Sequence, residues 1–140
     1  MATNVYNIAY GKLEPYVNPD MARTLAVQFG PSLTIAKGTI IGLITATGKG
    51  AAYAAASVDG SQTNIIGPAV YDFTTDASGN VTLGGTGTVA GITVSVDQTA
   101  EVYYRGDFLE TELTGLDANA VTVLKARELG IGTTKFLHLP

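Results

Sequence analysis

Polar and apolar positions alternate from Arg23 to Phe29: Arg23, Leu25, Val27 and Phe29 fall on one side, Thr24, Ala26 and Gln28 on the other. A period of two predicts a strand, and Gly30-Pro31-Ser32 stops it. Thr39 to Ala46, rich in Ile and Thr, predicts the next strand, with Gly42 marking a bulge or a close backbone approach. Thr47-Gly48-Lys49-Gly50 makes a turn, Ala51 to Ala56 a strand around Tyr53 diluted by alanines, and Asp59-Gly60-Ser61 another turn. Asn64 to Thr74 reads as a strand interrupted at Gly67-Pro68, because proline cannot donate to a ladder.

An insertion-like hairpin follows over about residues 72–97. Its turn is Asp76 to Asn80, its first strand Val81 to Leu83, its second turn Gly84 to Gly87 and its return strand Thr88 to Val96. Ala100 to Arg105 is a compact strand that Gly106 ends, and Asp107 with Glu110 has the spacing of a capping box on a helical turn. Leu116 to Gly130 predicts the single helix. Asp117 is its N-cap, Leu116 and Val121 form a staple, Lys125 and Arg127 lie in the last turns, and Gly130 sits at C′. Thr133 to Leu139 reads as a last strand. Short strands, glycine turns and one late helix amount to a mainly-β fold with one short C-terminal α-helix.

Residues 1–22 read as an N-terminal arm ahead of a β-rich body over residues 23–140. Asn4, Asn7, Asn18, Pro15 and Pro19 break every periodicity in the arm, while Tyr6, Tyr10 and Tyr16 punctuate it. A disordered tail is ordinarily poor in aromatics. Two readings stand: the tyrosines order the arm against a partner, or the arm packs on its own domain.

Composition changes the picture in one respect. Only 14% of the 140 residues are charged, where about 25% is usual. A weakly charged surface is often one that partners cover, so assembly is an expectation from the start. The net charge of −4 and a pI near 4.7 argue against sequence-independent nucleic-acid binding, which needs clustered Lys and Arg. Charge is also uneven. No acid lies between Asp20 and Asp59, whereas six acids and one base, Arg105, lie from Asp97 to Asp117. Chance and a solvated face explain this, and so does a complementary subunit contact. No run reaches the roughly 18 apolar residues of a membrane span, and the start carries no secretory pattern.

Candidate chemistry is thin. With no cysteine, thiolate metal sites and thiol nucleophiles are excluded. The sole histidine, His138, stands near the chain's end and reads as a strand residue. Gly48-Lys49 misses the phosphate-loop pattern, since five residues separate Gly42 from Gly48 and Gly50 follows the lysine. Asp107, Glu110 and Glu112 invite a carboxylate mechanism, but capping accounts for the first two. Tyr103 and Tyr104 point to opposite faces of one strand and make no stacking platform. No catalytic, cofactor or metal site is expected.

One ordered series carries more. It runs through Leu33, Gly38-Thr39-Ile40-Ile41-Gly42, Ile44-Thr45-Ala46-Thr47-Gly48-Lys49, Tyr53 and Asp59-Gly60-Ser61-Gln62-Thr63. It continues in Val102-Tyr103-Tyr104-Arg105-Gly106-Asp107-Phe108, Leu113 and the late Ala-Val-x-Val-Leu-Lys helix. This series resembles the head decoration protein family of tailed bacteriophages, the lambda-type capsid-stabilising proteins. It covers roughly Arg23 to Ile131, and departs from the family where residues 72–97 replace a shorter connection. The resemblance implies a β-clip, a bent β-ribbon forming an incomplete barrel, with a small helix. It implies a homotrimer on the outer surface of the virion, bound to the major capsid protein at threefold and quasi-threefold positions, that stabilises the expanded capsid against packaged DNA. It further implies an arm that adds β-structure to the capsid protein. In this family context Gly38, Gly42, Gly48 and Gly60 are bends of the ribbon, Tyr53 is a packing residue, and the capsid contact lies in the arm. The other readings are an adhesin-like β-module that recognises through the 72–97 hairpin, and an enzyme on the same frame.

Overall fold

The structure is a computed structural model that describes Leu13 and residues 22–83, 92, 93, 99–127 and 129–132. Along the chain the strands are β1 (Arg23–Gln28), β2 (Thr34–Ile35), β3 (Ile40–Leu43), β4 (Gly50–Ala52) and β5 (Ile65–Pro68). They continue with β6 (Phe73–Thr75), β7 (Val81–Leu83), β8 (Ile92–Thr93), β9 (Thr99–Leu109) and β10 (Leu129–Gly132). A 3-10 turn at Glu110–Glu112 and one helix, α1 (Ala118–Ala126), separate β9 from β10. The strands form three small sheets, ordered β1-β9-β10, β4-β3-β5 and β2-β6-β7-β8, and none closes into a barrel among the described residues. The fold is mainly β with one short C-terminal helix.

Two apolar cores share a single wall. Ile40, Ile65, Val70 and Tyr103 belong to one, and their immediate chain neighbours Ile41, Ile66, Ala69 and Val102 to the other. Successive residues of a strand point to opposite faces, so β3, β5 and β9 present apolar side chains on both sides. This explains why Ile40-Ile41, Ile65-Ile66 and Val102-Tyr103 break the alternation expected of a half-buried strand. The wall is joined by backbone bonds: Ala69 bridges Val102, and the Val70 N–H donates to the Glu101 carbonyl at 3.1 Å. On one side lie Ala120 and Leu124 of α1, Leu129 of β10 and Phe108. On the other lie Phe29 and Phe73, whose rings meet edge to face at 4.9 Å, with Val81 and Val27. Each large apolar side chain so buried stabilises the fold by about 1.5–3 kcal/mol.

Phe73 and Val81 come from the segment over residues 72–97, and β2 joins the same sheet by pairing Thr34 with Thr74 and Ile35 with Phe73. The described part of that hairpin is thus built into the second core. Its turn closes through Asp76, whose carboxylate accepts the N–H groups of Ser78 and Asn80 at 2.8 and 2.9 Å.

Several expected boundaries move. The strand around Tyr53 lies earlier, at Gly50–Ala52. The break expected at Gly67-Pro68 falls after Pro68, which β5 tolerates at the edge of its sheet. Gly106 does not end β9, which runs on to Leu109. Asp107 therefore caps no helical turn; Leu109 holds the N-cap position of the 3-10 turn and supplies no side-chain cap. The helix starts at its predicted cap, Asp117, but ends at Ala126, and Gly130 lies inside β10 opposite Asp107. One cause accounts for these last changes. Parallel pairing of Leu129–Gly132 with Gly106–Leu109 takes the backbone bonds of both segments, and buries Phe108 and Leu129. The strand expected over residues 133–139 lies outside the described residues, as does the arm apart from Leu13 and Ala22.

Candidate functional site

The motif residues converge on one construction, a ribbon tied at three places. The first tie is Gly38-Thr39. Gly38, at φ +82, donates its N–H to the Ala69 carbonyl and accepts from the Thr114 N–H, both at 2.9 Å. Thr39 bridges Thr114, and its carbonyl takes the Ala69 N–H at 2.9 Å. A Cβ at Gly38 would collide with the Glu112 carbonyl, so only glycine lets the two backbones meet.

The second tie is Gly42 against the Asp59-Gly60-Ser61 turn. The register of β3 against β5 shifts between Ile41 and Gly42, and a Cβ on Gly42 would run into the Ser61 carbonyl. Both the bulge and the close approach predicted there are present. Thr45 donates its N–H to the Asp59 carbonyl at 2.9 Å, while the Asp59 carboxylate accepts from the Ser61 hydroxyl at 2.6 Å and its N–H at 3.0 Å. Those two bonds hold the Asp59 carboxyl below the usual carboxylate range, the hydroxyl contributing most. Between β3 and β4, Gly48 and Lys49 close the hairpin. The Gly48 N–H reaches the Ile44 carbonyl at 2.7 Å, and the Ile44 N–H reaches the Lys49 carbonyl at 2.8 Å. This is a turn with its amides committed internally, which does not suit a phosphate cradle.

The third tie is Tyr53. Its ring is buried in the helix-side core, and its hydroxyl donates to the Asp117 carboxylate, with oxygens at 2.9 and 3.0 Å. Asp117 also accepts the Ala120 N–H at 2.8 Å as N-cap, and the Asn119 amide donates to the tyrosine oxygen at 3.1 Å. The ribbon is therefore fastened to the start of α1. Phe108, 5.0 Å from the Tyr103 ring, and Gly106, at φ +143, complete the packing from β9.

Tyr6, Tyr10 and Tyr16 lie outside the described residues, but Leu13 between them is placed. It is buried in the helix-side core, donates its N–H to the Val70 carbonyl at 2.6 Å and accepts from the Tyr103 hydroxyl at 2.8 Å. At Leu13, then, the arm packs on its own domain. Sequence reading missed this anchor. The available signal was Tyr103, a tyrosine in an apolar strand whose hydroxyl needs a buried acceptor.

Tyr103 and Tyr104 do face opposite ways, the first buried and the second 38% exposed. Asp107 is buried on β9, while Glu110 and Glu112 are exposed on the 3-10 turn; no cluster among the described residues is arranged to hold a metal ion. His138 lies outside the described residues. No protein-family model, no curated protein and no solved structure matches this chain.

Proposed function

We propose that this chain is a non-catalytic capsid-stabilising protein of the head decoration type, with the β-clip character that family implies. In this reading it sits as a homotrimer on the outer surface of an expanded phage capsid, at threefold and quasi-threefold positions. There it joins copies of the major capsid protein and resists internal DNA pressure. The observation that carries the reading is the placement of the resemblance residues. Gly38, Gly42, Gly60 and Tyr53, spread along the matching series, are the positions where the ribbon is tied to its neighbours. A motif placed in this way is a folding signature, as expected of a protein whose work is to be a shaped, weakly charged block.

The mechanism that follows is edge-strand augmentation multiplied by valency. Leu13 fixes the middle of the arm to Val70 and Tyr103, and residues 1–12 precede that anchor along the chain. Three such arms in a trimer would each add modest main-chain contacts, and effective concentration would make the sum strong. The test is to mix the purified protein with its own empty expanded heads and image them. Density at the threefold positions and a raised capsid melting temperature are expected. A variant lacking residues 1–12 should keep its own melting temperature and lose capsid binding; heads that stay bare with the full chain would end the proposal.

A further inference from the structure

β1 is an edge strand. β9 pairs with one side of it, and among the described residues no strand pairs with the other. That open side is closed at its far end, where Phe29 bridges Gly50, and interrupted at its start by the register shift between Arg23 and Thr24. Between these limits stand Thr24, Leu25, Ala26 and Val27, without a charge or a proline, and the first three are exposed. Charge and proline are the usual guards of an edge, whose free N–H and C=O groups are a template for another strand.

An apolar margin runs beside it. Leu25 is the cross-strand partner of Val102, and Tyr104 lies two residues on from Val102, so both share the face of the second core. Toward Gly50 that face is closed, with Val27 and Phe29 packed against the start of β4. Toward Arg23 it runs out, leaving Leu25 37% and Tyr104 38% exposed. On the opposite face stands an acid: the exposed Glu101, cross-strand partner of Ala26, accepts from the Thr24 hydroxyl at 3.0 Å.

We infer that this edge accepts residues 133–139 of a second copy of the chain, which add to it as a strand. The segment Thr-Thr-Lys-Phe-Leu-His-Leu has the sequence of a strand, follows β10 directly, and holds Lys135 and His138 without an acid. Both registers suit the edge. With Leu137 and Leu139 over Leu25, His138 falls on the Glu101 side; shifted by one, Phe136 lies over Leu25 and Lys135 falls beside Glu101. Reach makes the donor a second copy. Gly132 is level with Leu109, while a strand on the open side of β1 starts level with Tyr103 and three strand spacings away. That is roughly 24 Å in a straight line, at about 4.8 Å per spacing and about 3.4 Å per residue. Residues 133–139 of the same copy would be fully extended merely on arriving. Each copy therefore gives one strand and receives one, a head-to-tail contact that closes as a ring.

The inference deepens the proposed homotrimer by naming the strand that joins its copies, and its test needs no capsid. Sedimentation equilibrium compares the full-length protein, a chain ending at Gly132, and the full-length Leu25→Lys variant, with a thermal scan to check that each is folded. The full-length protein should have the mass of three chains and the shortened one the mass of a single chain. Leu25→Lys should weaken association by about tenfold or more, the scale of one leucine side chain kept from burial. A capped peptide of residues 133–139 should bind the shortened chain saturably and slow amide exchange within Thr24–Val27. If the shortened chain fails to fold, the peptide is titrated into the full-length protein, which it should dissociate by competition. The inference is overturned by a full-length chain that stays monomeric, by a shortened chain that keeps its copies, or by a peptide that neither protects Thr24–Val27 nor competes. A reciprocal dimer would uphold the strand exchange and end the homotrimer. Heads that stay bare while the ring forms would end the capsid reading alone.

Discussion

Replacing Tyr53 with Phe removes a single oxygen, and the structure says what that oxygen holds. It donates to the Asp117 carboxylate at 2.9 and 3.0 Å and accepts from the Asn119 amide at 3.1 Å, while the ring keeps its place in the core. A hydrogen bond to a charged acceptor contributes about 1.5–3 kcal/mol. Asp117 is only partly buried and retains its bond from the Ala120 N–H, so water recovers part of the loss. The expected cost is about 1–2 kcal/mol. For a domain of this size that lowers the melting temperature by roughly 3–8 °C. Asp117→Ala removes the helix cap as well as the tyrosine's acceptor, and the cap alone is worth about 1 kcal/mol. Urea denaturation of the two single variants and the double variant closes a cycle, with a coupling energy of about 1 kcal/mol expected. If Tyr53→Phe is neutral, or the coupling is indistinguishable from zero, the ribbon is held to the helix by ring packing alone and the third tie does not exist.

Three further outcomes follow from the geometry. Gly42→Ala drives a methyl group into the Ser61 carbonyl and should cost about 3 kcal/mol, while Gly30→Ala, with nothing within 4 Å, should stay within about 0.5 kcal/mol; chemical denaturation compares them. Leu13→Ala empties part of the helix-side core and should cost about 2–5 kcal/mol, a loss that a free arm would not produce. Asp59 and Asp76 both have carboxyl pKa values lowered by hydrogen bonds in the folded chain. Their contribution is therefore complete above the unfolded carboxylate value, about 3.9, and is lost as pH falls through the lowered folded values. Melting temperature measured from pH 6 down to 2 should fall in that acid range, and the fall should be shallower in Asp59→Asn with Asp76→Asn.

The glycine ribbon was legible because its signals are local. Gly42 stands in an Ile-Thr run where a strand has no use for glycine unless another backbone comes close, and the Ser61 carbonyl is that backbone. Asp117 before an apolar helix face was equally plain, and it caps α1. Gly106 and Gly130 misled because the same residue type serves a stop and a pairing. The parallel ladder between Leu129–Gly132 and Gly106–Leu109 joins segments with a whole helix between them, and no local pattern encodes that. Leu13 was hidden for the opposite reason. One docking residue among Pro and Asn leaves no period to detect, and its partners, Val70 and Tyr103, are far along the chain.

The shared wall also has a consequence for how the molecule comes apart. Ile40 and Ile41 are joined by a single peptide unit yet serve different cores, as do Ile65 with Ile66 and Val102 with Tyr103. Neither core can loosen without disturbing the strand that also seals the other, so partial opening that frees one side alone is disfavoured. Amide exchange at β3, β5 and β9 should then proceed only through unfolding of the whole body, with the two cores behaving as one cooperative unit.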